Sequence, residues 1–221
     1  MTKAEKLLVE KLKPKLAQLG FKWLSKMEQF IRQEEFGFSC FVWGSYPTPI
    51  DGGRLEIIPL FGVRHNVVED MVNQLGLIHG EEYKRYTTTV ERGLQFFPIV
   101  EGKNYMQYIR DNAVEKDTSK AAANIVAMLE QEGRQFFEKY SSLLACSQGL
   151  NDVIKTTSHP LCNNFPNRAY YGIAVASLVE KHRVPELVKQ YLEYTKEILP
   201  SLYDDTEKKI NKLISVIEQP A

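Results

Sequence analysis

Histidine and cysteine are the residues that most often bind metals, and this chain has four histidines and three cysteines. His159 and Cys162 lie close enough in sequence to resemble a pair of ligands, within a loop that also contains Pro160. A zinc site needs two further ligands, and no H-E-x-x-H or C-x-x-C motif supplies them. The sequence therefore predicts no metal and no cofactor, and residues 158–167 are predicted to form a loop.

The sequence also contains no local motif of an enzyme that uses a nucleophilic side chain. No G-x-S-x-G motif is present, although Cys146 or Cys162 paired with a histidine in the folded chain would form a nucleophile. Cys146 falls on the apolar face of a predicted helix, which favours a buried structural thiol. Adjacent carboxylates diverge on either a helix or a strand, so neighbouring acids such as Glu34 and Glu35 do not form an acid–base pair. No catalytic residue is predicted.

Arginine and aromatic side chains near the ends of predicted elements are the stronger candidates. Arg64 and His65 end a predicted strand just before a helix, and Arg168 and Tyr171 open a helix after the loop that contains His159. Tyrosine, tryptophan and arginine are favoured anchors of protein interfaces. The predicted binding residues are Trp43, Tyr46, Arg64, His65, Arg85, Tyr86, His159, Arg168 and Tyr171.

The composition of the chain limits the classes of partner that we expect it to bind. Lysine plus arginine and aspartate plus glutamate number 28 each, so the net charge is zero. A nucleic-acid-binding domain usually has a basic excess, and a membrane span needs about 20 apolar residues in a row. We therefore expect neither nucleic acid nor membrane as a partner. The charged N-terminus does not resemble a signal peptide, and three unpaired cysteines suit a reducing compartment, so the sequence predicts a cytoplasmic protein.

The N-terminal half is predicted to combine helices with an antiparallel sheet. Thr2 and Glu5 form a capping box, and Gly20 ends the helix that follows. Strands are predicted at 23–32, 36–46 and 54–64, and Pro59 favours an edge position or a bulge for the third. Asn66 and Glu69 indicate a second capping box, before a short helix ending at Gly76. Residues 83–90 and 94–100 are predicted to form a further hairpin with its turn at Gly93.

The composition changes near residue 103, and the pattern is helical from there onwards. Helices are predicted at 119–140, from about 142 to 157, and at 167–182, 185–199 and 202–218, with Pro185 in a first turn. Strands followed by helices favour an α+β fold, here an antiparallel sheet with helices on one face, followed by a C-terminal bundle of helical hairpins. The predicted division is into residues 1–102 and 103–221, which can also pack as one domain.

The N-terminal pattern resembles that of bacterial domains that begin with a helix, a Gly-Phe pair and an antiparallel sheet. Some of these domains are similar to immunity proteins of bacterial polymorphic toxin systems. The likeness covers residues 5–76 and lies in structural motifs. They are Leu12-Lys13-Pro14-Lys15-Leu16, Gly20-Phe21-Lys22, the strand bearing Phe30 and Arg32, and Gly62-Val63-Arg64-His65.

Three functions remain open from the sequence. The first is a non-catalytic cytosolic protein that binds another protein, of which a bacterial toxin-immunity protein is one form. The second is an enzyme whose site lies between the sheet and the helical half and includes Arg64, His65 and residues 159–171. The third is a helical scaffold or oligomerisation module formed by residues 167–218.

Overall fold

The first helix shows how closely local signals match the fold at the N-terminus. The computed structural model describes residues 1–49, 53–93 and 105–219. Helix α1 spans Lys3–Gln18 and runs through Pro14. The Thr2 hydroxyl accepts from the Glu5 amide, and the Glu5 carboxylate accepts from the Thr2 amide at 2.5 Å, so the predicted capping box is confirmed. Gly20 follows the helix with φ of +84°, a conformation that glycine adopts without strain.

Six strands of the described residues form one antiparallel sheet. They are β1 (Lys22–Leu24), β2 (Gln29–Glu34), β3 (Gly37–Thr48), β4 (Arg54–His65), β5 (Val90–Gly93) and β6 (Gln107–Arg110). The strands β1 to β5 are neighbours in chain order, and β6 also pairs with β4. In the β2–β3 ladder Phe30 faces Phe41, and in the β4–β6 ladder Ile57 faces Gln107.

Three predictions about these strands need correction. The segment 23–32 is not one strand, because a turn that includes Glu28 at φ +51° separates β1 from β2. Pro59 is not on an edge strand, since β3, β5 and β6 all pair with β4. The β4–β6 ladder ends at Ile57, so the missing proline amide falls beyond it. Strand β6 was not predicted, and it lies in the part of the chain that was expected to be helical.

The remaining elements are mostly helices. They are α2 (Asn66–Val72), α3 (Glu81–Lys84), α4 (Val114–Met128), α5 (Arg134–Tyr140), α6 (Leu143–Leu150), α7 (Asn167–Val179), α8 (Val184–Ile198) and α9 (Tyr203–Ile217). One π-helical turn joins α4 to α5, and Pro185 lies in the first turn of α8 as predicted. None of the helices described combines the length and apolar character needed to cross a membrane.

Two local predictions in the middle of the chain are wrong. The predicted strand at 83–90 is a helical turn and a loop that lead to β5, and its predicted partner at 94–100 lies outside the described residues. Gly93 is the last residue of β5. Asn66 and Glu69 do not form a capping box, because His65 is the N-cap residue and offers no side-chain bond. The Glu69 carboxylate is fully buried and has other partners.

The chain divides into two compact units, and each combines two stretches of sequence. Unit 1 consists of Met1–Gly62 and Arg92–Glu138, and unit 2 consists of Val63–Glu91 and Lys139–Ala221. The predicted boundary at 102 falls among residues that the structure does not describe. Each unit takes residues from both sides of that boundary.

An aromatic core holds unit 1 together. Phe61 lies at the centre, with its ring 6.2 Å from that of Phe41 and 5.7 Å from that of Phe137. Phe41 continues the cluster to Phe30 across the β2–β3 ladder. Such offset and edge-on contacts between buried rings add to the free energy gained from burying their area. The cluster joins the sheet to α5 within this unit.

The core of unit 2 is built around α7. Its residues from Gly172 to Ala176 are all buried, as is typical of a helix surrounded on every side. Helices α2, α6, α8 and α9 all contact it. At Gly172 an added Cβ would meet Asn151 Oδ1 at 2.3 Å and the Tyr191 hydroxyl at 3.0 Å. Glycine is therefore required for α6 and α8 to approach α7 so closely.

Candidate functional site

The buried carboxylate of Glu69 is the centre of a polar cluster in unit 2. It accepts hydrogen bonds from the hydroxyls of Thr87 at 2.5 Å, Thr89 at 3.0 Å and Tyr171 at 3.4 Å. Arg64 Nη1 lies 3.7 Å from Glu69 Oε2. Burial raises the pKa of Glu69, whereas the bond from Thr87 and the charge of Arg64 oppose that rise. We call these five residues the Glu69 cluster.

The guanidinium of Arg64 ties this cluster to the loop after α3. It donates to Asn66 Oδ1 at 2.9 Å, to Lys84 O at 2.9 Å and to Thr87 O at 3.0 Å. It also donates to Thr87 Oγ1 at 2.9 Å, so the Thr87 hydroxyl accepts from the cation and donates to the Glu69 carboxylate. Glu69 is 0% exposed, and both of its oxygens accept bonds. The arrangement is that of a structural tie between α2, this loop and α7.

An open polar pocket of about 310 Å³ lies beside Arg64. Cationic and anionic side chains both line it. The lining residues are Arg64, Asp70, Asn73, Gln74, Glu81, Lys84 and Arg85. Arg85 is exposed at this pocket and Tyr86 follows it, half-buried. The mixed charges do not select for an anion or a cation.

His65 and Cys146 form a buried pair of the kind that a cysteine nucleophile would need. Cys146 Sγ lies 3.6 Å from His65 Nε2. However, His65 Nε2 lies 2.8 Å from Tyr140 O, an acceptor, so Nε2 carries a hydrogen and cannot take the thiol proton. Burial raises the pKa of Cys146 to about 12 and lowers that of His65. The pair is structural, with both side chains donating to the Tyr140 carbonyl.

His159 is held in one neutral form by the loop around it. Its Nδ1 accepts from the Leu161 amide at 3.2 Å, so Nε2 carries the hydrogen and donates to Asp152 Oδ1 at 2.9 Å. Burial lowers the pKa of His159, and the charge of Arg168 lowers it further, against the opposing effect of Asp152. Cys162 is half-buried, with its pKa raised by burial to about 11. The described residues hold no group of three metal-ligating side chains.

Arg168 is fully buried beneath this loop. Its Nη2 donates to Ile154 O at 2.6 Å and Thr156 O at 2.9 Å. The guanidinium carbon lies 5.7 Å from the ring centre of Phe165 and 5.9 Å from that of Tyr191. Arg168 therefore fixes the loop between α6 and α7 from below.

Trp43 and Tyr46 belong to unit 1, whereas the other predicted binding residues belong to unit 2. The Trp43 ring is stacked at 5.9 Å on that of Trp23, and both are half-buried. Tyr46 is 56% exposed. Of the other seven predicted residues, which all belong to unit 2, the fold brings Arg64 and Tyr171 together at Glu69.

A mostly aliphatic groove of about 430 Å³ lies along α8 and α9 of unit 2. Lys181 and Glu218 supply charge at its rim. The lining residues are Lys181, Val184, Pro185, Val188, Ile214, Ile217 and Glu218. Leu178 and Val179, just before Lys181 in the sequence, are 41% and 38% exposed. We call the seven lining residues the α8–α9 groove.

No family model, curated protein or solved structure matches this chain. Its function must therefore be argued from the geometry above. The sequence analysis missed Glu69 as a centre of polar contacts, and it missed the α8–α9 groove. The apolar positions of α9, Ile210, Leu213, Ile214 and Ile217, have the spacing of one ordinary buried helix face, so the sequence carried no separate signal for the groove.

Proposed function

We propose that this protein binds another protein, and that the α8–α9 groove receives an apolar helical segment of the partner. The observation that carries the proposal is a concave aliphatic surface of about 430 Å³ on a pair of well-packed helices. Exposed apolar surface of this kind, rimmed by polar groups, is typical of interaction sites. An amphipathic helix can place two or three apolar side chains in such a groove.

The core beneath the groove supports this proposal, because it is already complete. Leu187 and Tyr191 of α8 and Ile210 and Leu213 of α9 are buried, at no more than 2% exposure. Val188, Ile214 and Ile217 are only partly covered and lie beside this buried stripe. A partner that removed them from water would gain roughly 25 cal/mol for each Å² covered.

The charged rim indicates what the partner presents. Lys181 and Glu218 offer one cation and one anion beside an apolar floor. We expect a partner helix with an apolar stripe, an acidic residue facing Lys181 and a basic residue facing Glu218. The likeness of residues 5–76 to immunity-protein domains makes a toxin the partner class to test first. The enzyme alternative stays a prediction, because the titratable groups that do converge, in the Glu69 cluster and the His65–Cys146 pair, have structural partners.

Two groove variants and one matched control test the proposal. Val188→Asp places a negative charge near the start of α8, and Ile217→Lys places a positive charge at the end of α9. The lysine at 217 suits the helix dipole at the last residue of α9, and both side chains are only partly covered, so the helices should remain folded. Leu202→Asp is the control, because Leu202 is 40% exposed and lies before α9, about 18 Å along its axis from Ile214.

The tagged protein and its variants are compared by affinity capture from the cells that naturally produce it, followed by binding measurements with the purified partner. The proposal requires that one partner is retained by the wild type and by Leu202→Asp. Both groove variants should lose it, with circular dichroism unchanged. If the groove variants bind that partner as tightly as the wild type, the groove is not its site. Light scattering tests for self-association. If the wild type and Leu202→Asp are dimers while both groove variants are monomers, a second copy of the chain occupies the groove and the proposal is wrong.

A further inference from the structure

Arg168 is a buried cation without a counter-ion among the described residues. Its side chain is 0% exposed, and the described part of the chain forms no ion pair with it. Nη2 donates to two loop carbonyls, but Nε and Nη1 have no hydrogen-bond partner. An arginine cannot escape the cost of burial by losing its proton. The positive charge is therefore only partly compensated within unit 2.

The other buried arginine of unit 2 shows how this chain compensates such a charge. Arg64 is 5% exposed and lies 3.7 Å from the carboxylate of Glu69, which is itself buried. Burying a cation without an anion costs several kcal/mol. The difference between the two arginines thus points to an anion that the chain does not itself supply to Arg168.

The position of Arg168 at the start of a helix favours an oxyanion. Arg168 is the second residue of α7, a helix of 13 residues, and the N-terminus of a helix attracts negative charge. Among the backbone–backbone hydrogen bonds of the described loops and caps, none is donated by the amides of residues 162–165 or of Asn167. His159, whose pKa is lowered by burial and also by the charge of Arg168, is neutral and offers Arg168 no anion.

Two half-buried side chains lie beside this guanidinium. Phe165, whose ring centre lies 5.7 Å from it, is half-buried, and so is Cys162, whose pKa is raised by burial and by the charge of Glu91 and is lowered by the charge of Arg168. Asn163 and Asn164 between them are exposed. Because Arg168 itself is 0% exposed, an anion reaches Nε and Nη1 only when side chains of this short loop move aside.

We propose that the loop 159–167 and Arg168 form a binding site for a phosphate group, either inorganic phosphate or the phosphate of a small monoester. Phosphate is chosen over carboxylate because it presents more acceptor oxygens to the unsatisfied guanidinium and amide donors. The site is separate from the α8–α9 groove, and no bond is made or broken in it.

Thermal unfolding of the full chain at constant ionic strength tests the site. The probes are inorganic phosphate, glycerol phosphate, sodium acetate and sodium chloride. We expect phosphate to raise Tm by about 3–5 °C for each tenfold increase above its Kd, and chloride to have no such effect. Arg168→Lys should lose most of this shift, whereas Arg85→Gln, which removes an exposed arginine of the same unit, should keep it.

A second measurement does not depend on whether an Arg168 variant folds. Cys162 is the half-buried cysteine of the wild type, and Cys40 and Cys146 are buried. Phosphate should slow alkylation of Cys162 by iodoacetamide several-fold, because the bound anion covers the thiol and disfavours the thiolate. Chloride at the same ionic strength should not.

Each outcome decides a part of the proposal. Protection by inorganic phosphate alone identifies free phosphate as the ligand, and protection by glycerol phosphate as well identifies a phosphate monoester. Protection by acetate but not phosphate overturns the choice of phosphate. If phosphate neither raises Tm nor slows the alkylation of Cys162, or if chloride has equal effects, then water satisfies Arg168 and the site does not exist.

Discussion

Two buried arginines in unit 2 reach the same degree of burial by different means. Arg64 has a buried carboxylate within 3.7 Å and four hydrogen bonds to neighbouring oxygens. Arg168 has two backbone carbonyls and two aromatic rings, with two nitrogens unsatisfied. The first guanidinium belongs to a complete structural cluster, and the second belongs to an incomplete one. A buried polar group without a partner calls for an explanation such as a water molecule or a bound ion.

The largest loss of stability is expected when the Glu69 cluster is broken. Arg64→Met should reduce the free energy of unfolding by about 3–5 kcal/mol, because Glu69 is left buried without its cation. The double variant Arg64→Met/Glu69→Met should recover most of that loss, since it removes both charges. Urea unfolding followed by circular dichroism measures both. A loss below about 1 kcal/mol for Arg64→Met would contradict the idea that Glu69 depends on this cation.

A smaller loss of stability is expected when Arg168 is replaced. Arg168→Met in phosphate-free buffer should cost about 1–3 kcal/mol, because the carbonyls of Ile154 and Thr156 lose their donor. Removal of an uncompensated buried charge offsets part of this cost. The same urea titration gives the value. If Arg168→Met costs as much as Arg64→Met, the two arginines are equally compensated and the contrast between them is wrong.

Arg110 of unit 1 is a half-exposed arginine, and its ion pair with Asp117 can be compared with the two buried arginines. Asp117 accepts from Arg110 Nε at 2.7 Å and Nη2 at 2.9 Å, and also from the Arg110 amide. The Arg110 side chain is 49% exposed, so solvent screens the pair. Asp117→Asn should cost about 1 kcal/mol at pH 7. Asp111→Asn, at an exposed neighbour, should cost less.

The cost of Asp117→Asn should also depend on pH. The bonds from Arg110 lower the pKa of Asp117 from 3.8 to about 2 in the folded state. The stabilisation is therefore fully present above pH 4 and is lost as the pH falls towards 2. Unfolding measured across this range should show the difference between variant and wild type shrinking at low pH. A constant difference would mean that the loss has another origin.

The smallest expected effect is a change in the titration of His159. Burial, and then the charge of Arg168, lower the pKa of His159, so the wild type should lose stability as the pH falls below about 6.5. Arg168→Met should raise this pKa, and phosphate added to the wild type should raise it too. Two-dimensional NMR of the imidazole carbons follows it. Arg85→Met is the control, and an equal rise in that variant would rule out a specific effect of Arg168.

Local signals in the sequence predicted the parts of the fold that depend on neighbouring residues. The capping box of Thr2 and Glu5, the stop at Gly20 and the first-turn Pro185 all involve groups within a few residues of each other. The α+β class followed from the order of strands and helices. Strand β6 was missed because it has four residues, too few for an alternating pattern, and its ladder with β4 joins residues that are 50 or more positions apart.

The functional features depended on distant contacts. Arg64 and Tyr171 were predicted separately, but Glu69, which joins them, was assigned to a helix cap because Asn66 precedes it by three residues. Its true partners include Tyr171, which is 102 residues away in the chain. Likewise, the sequence marks Ile214 and Ile217 as apolar, but only the crossing of α8 and α9 decides that they line a groove.

The interleaving of the two units has a consequence for how the protein is made. The chain leaves unit 1 after Gly62, returns at Arg92 and leaves again after Glu138. On the ribosome, unit 1 has all its residues once position 138 has emerged. Residues 63–91 have by then been exposed for the time taken to translate 92–138, and they still lack the helices that cover them in unit 2. Vectorial synthesis therefore completes unit 1 first, and a fragment cut at residue 102 contains neither unit whole.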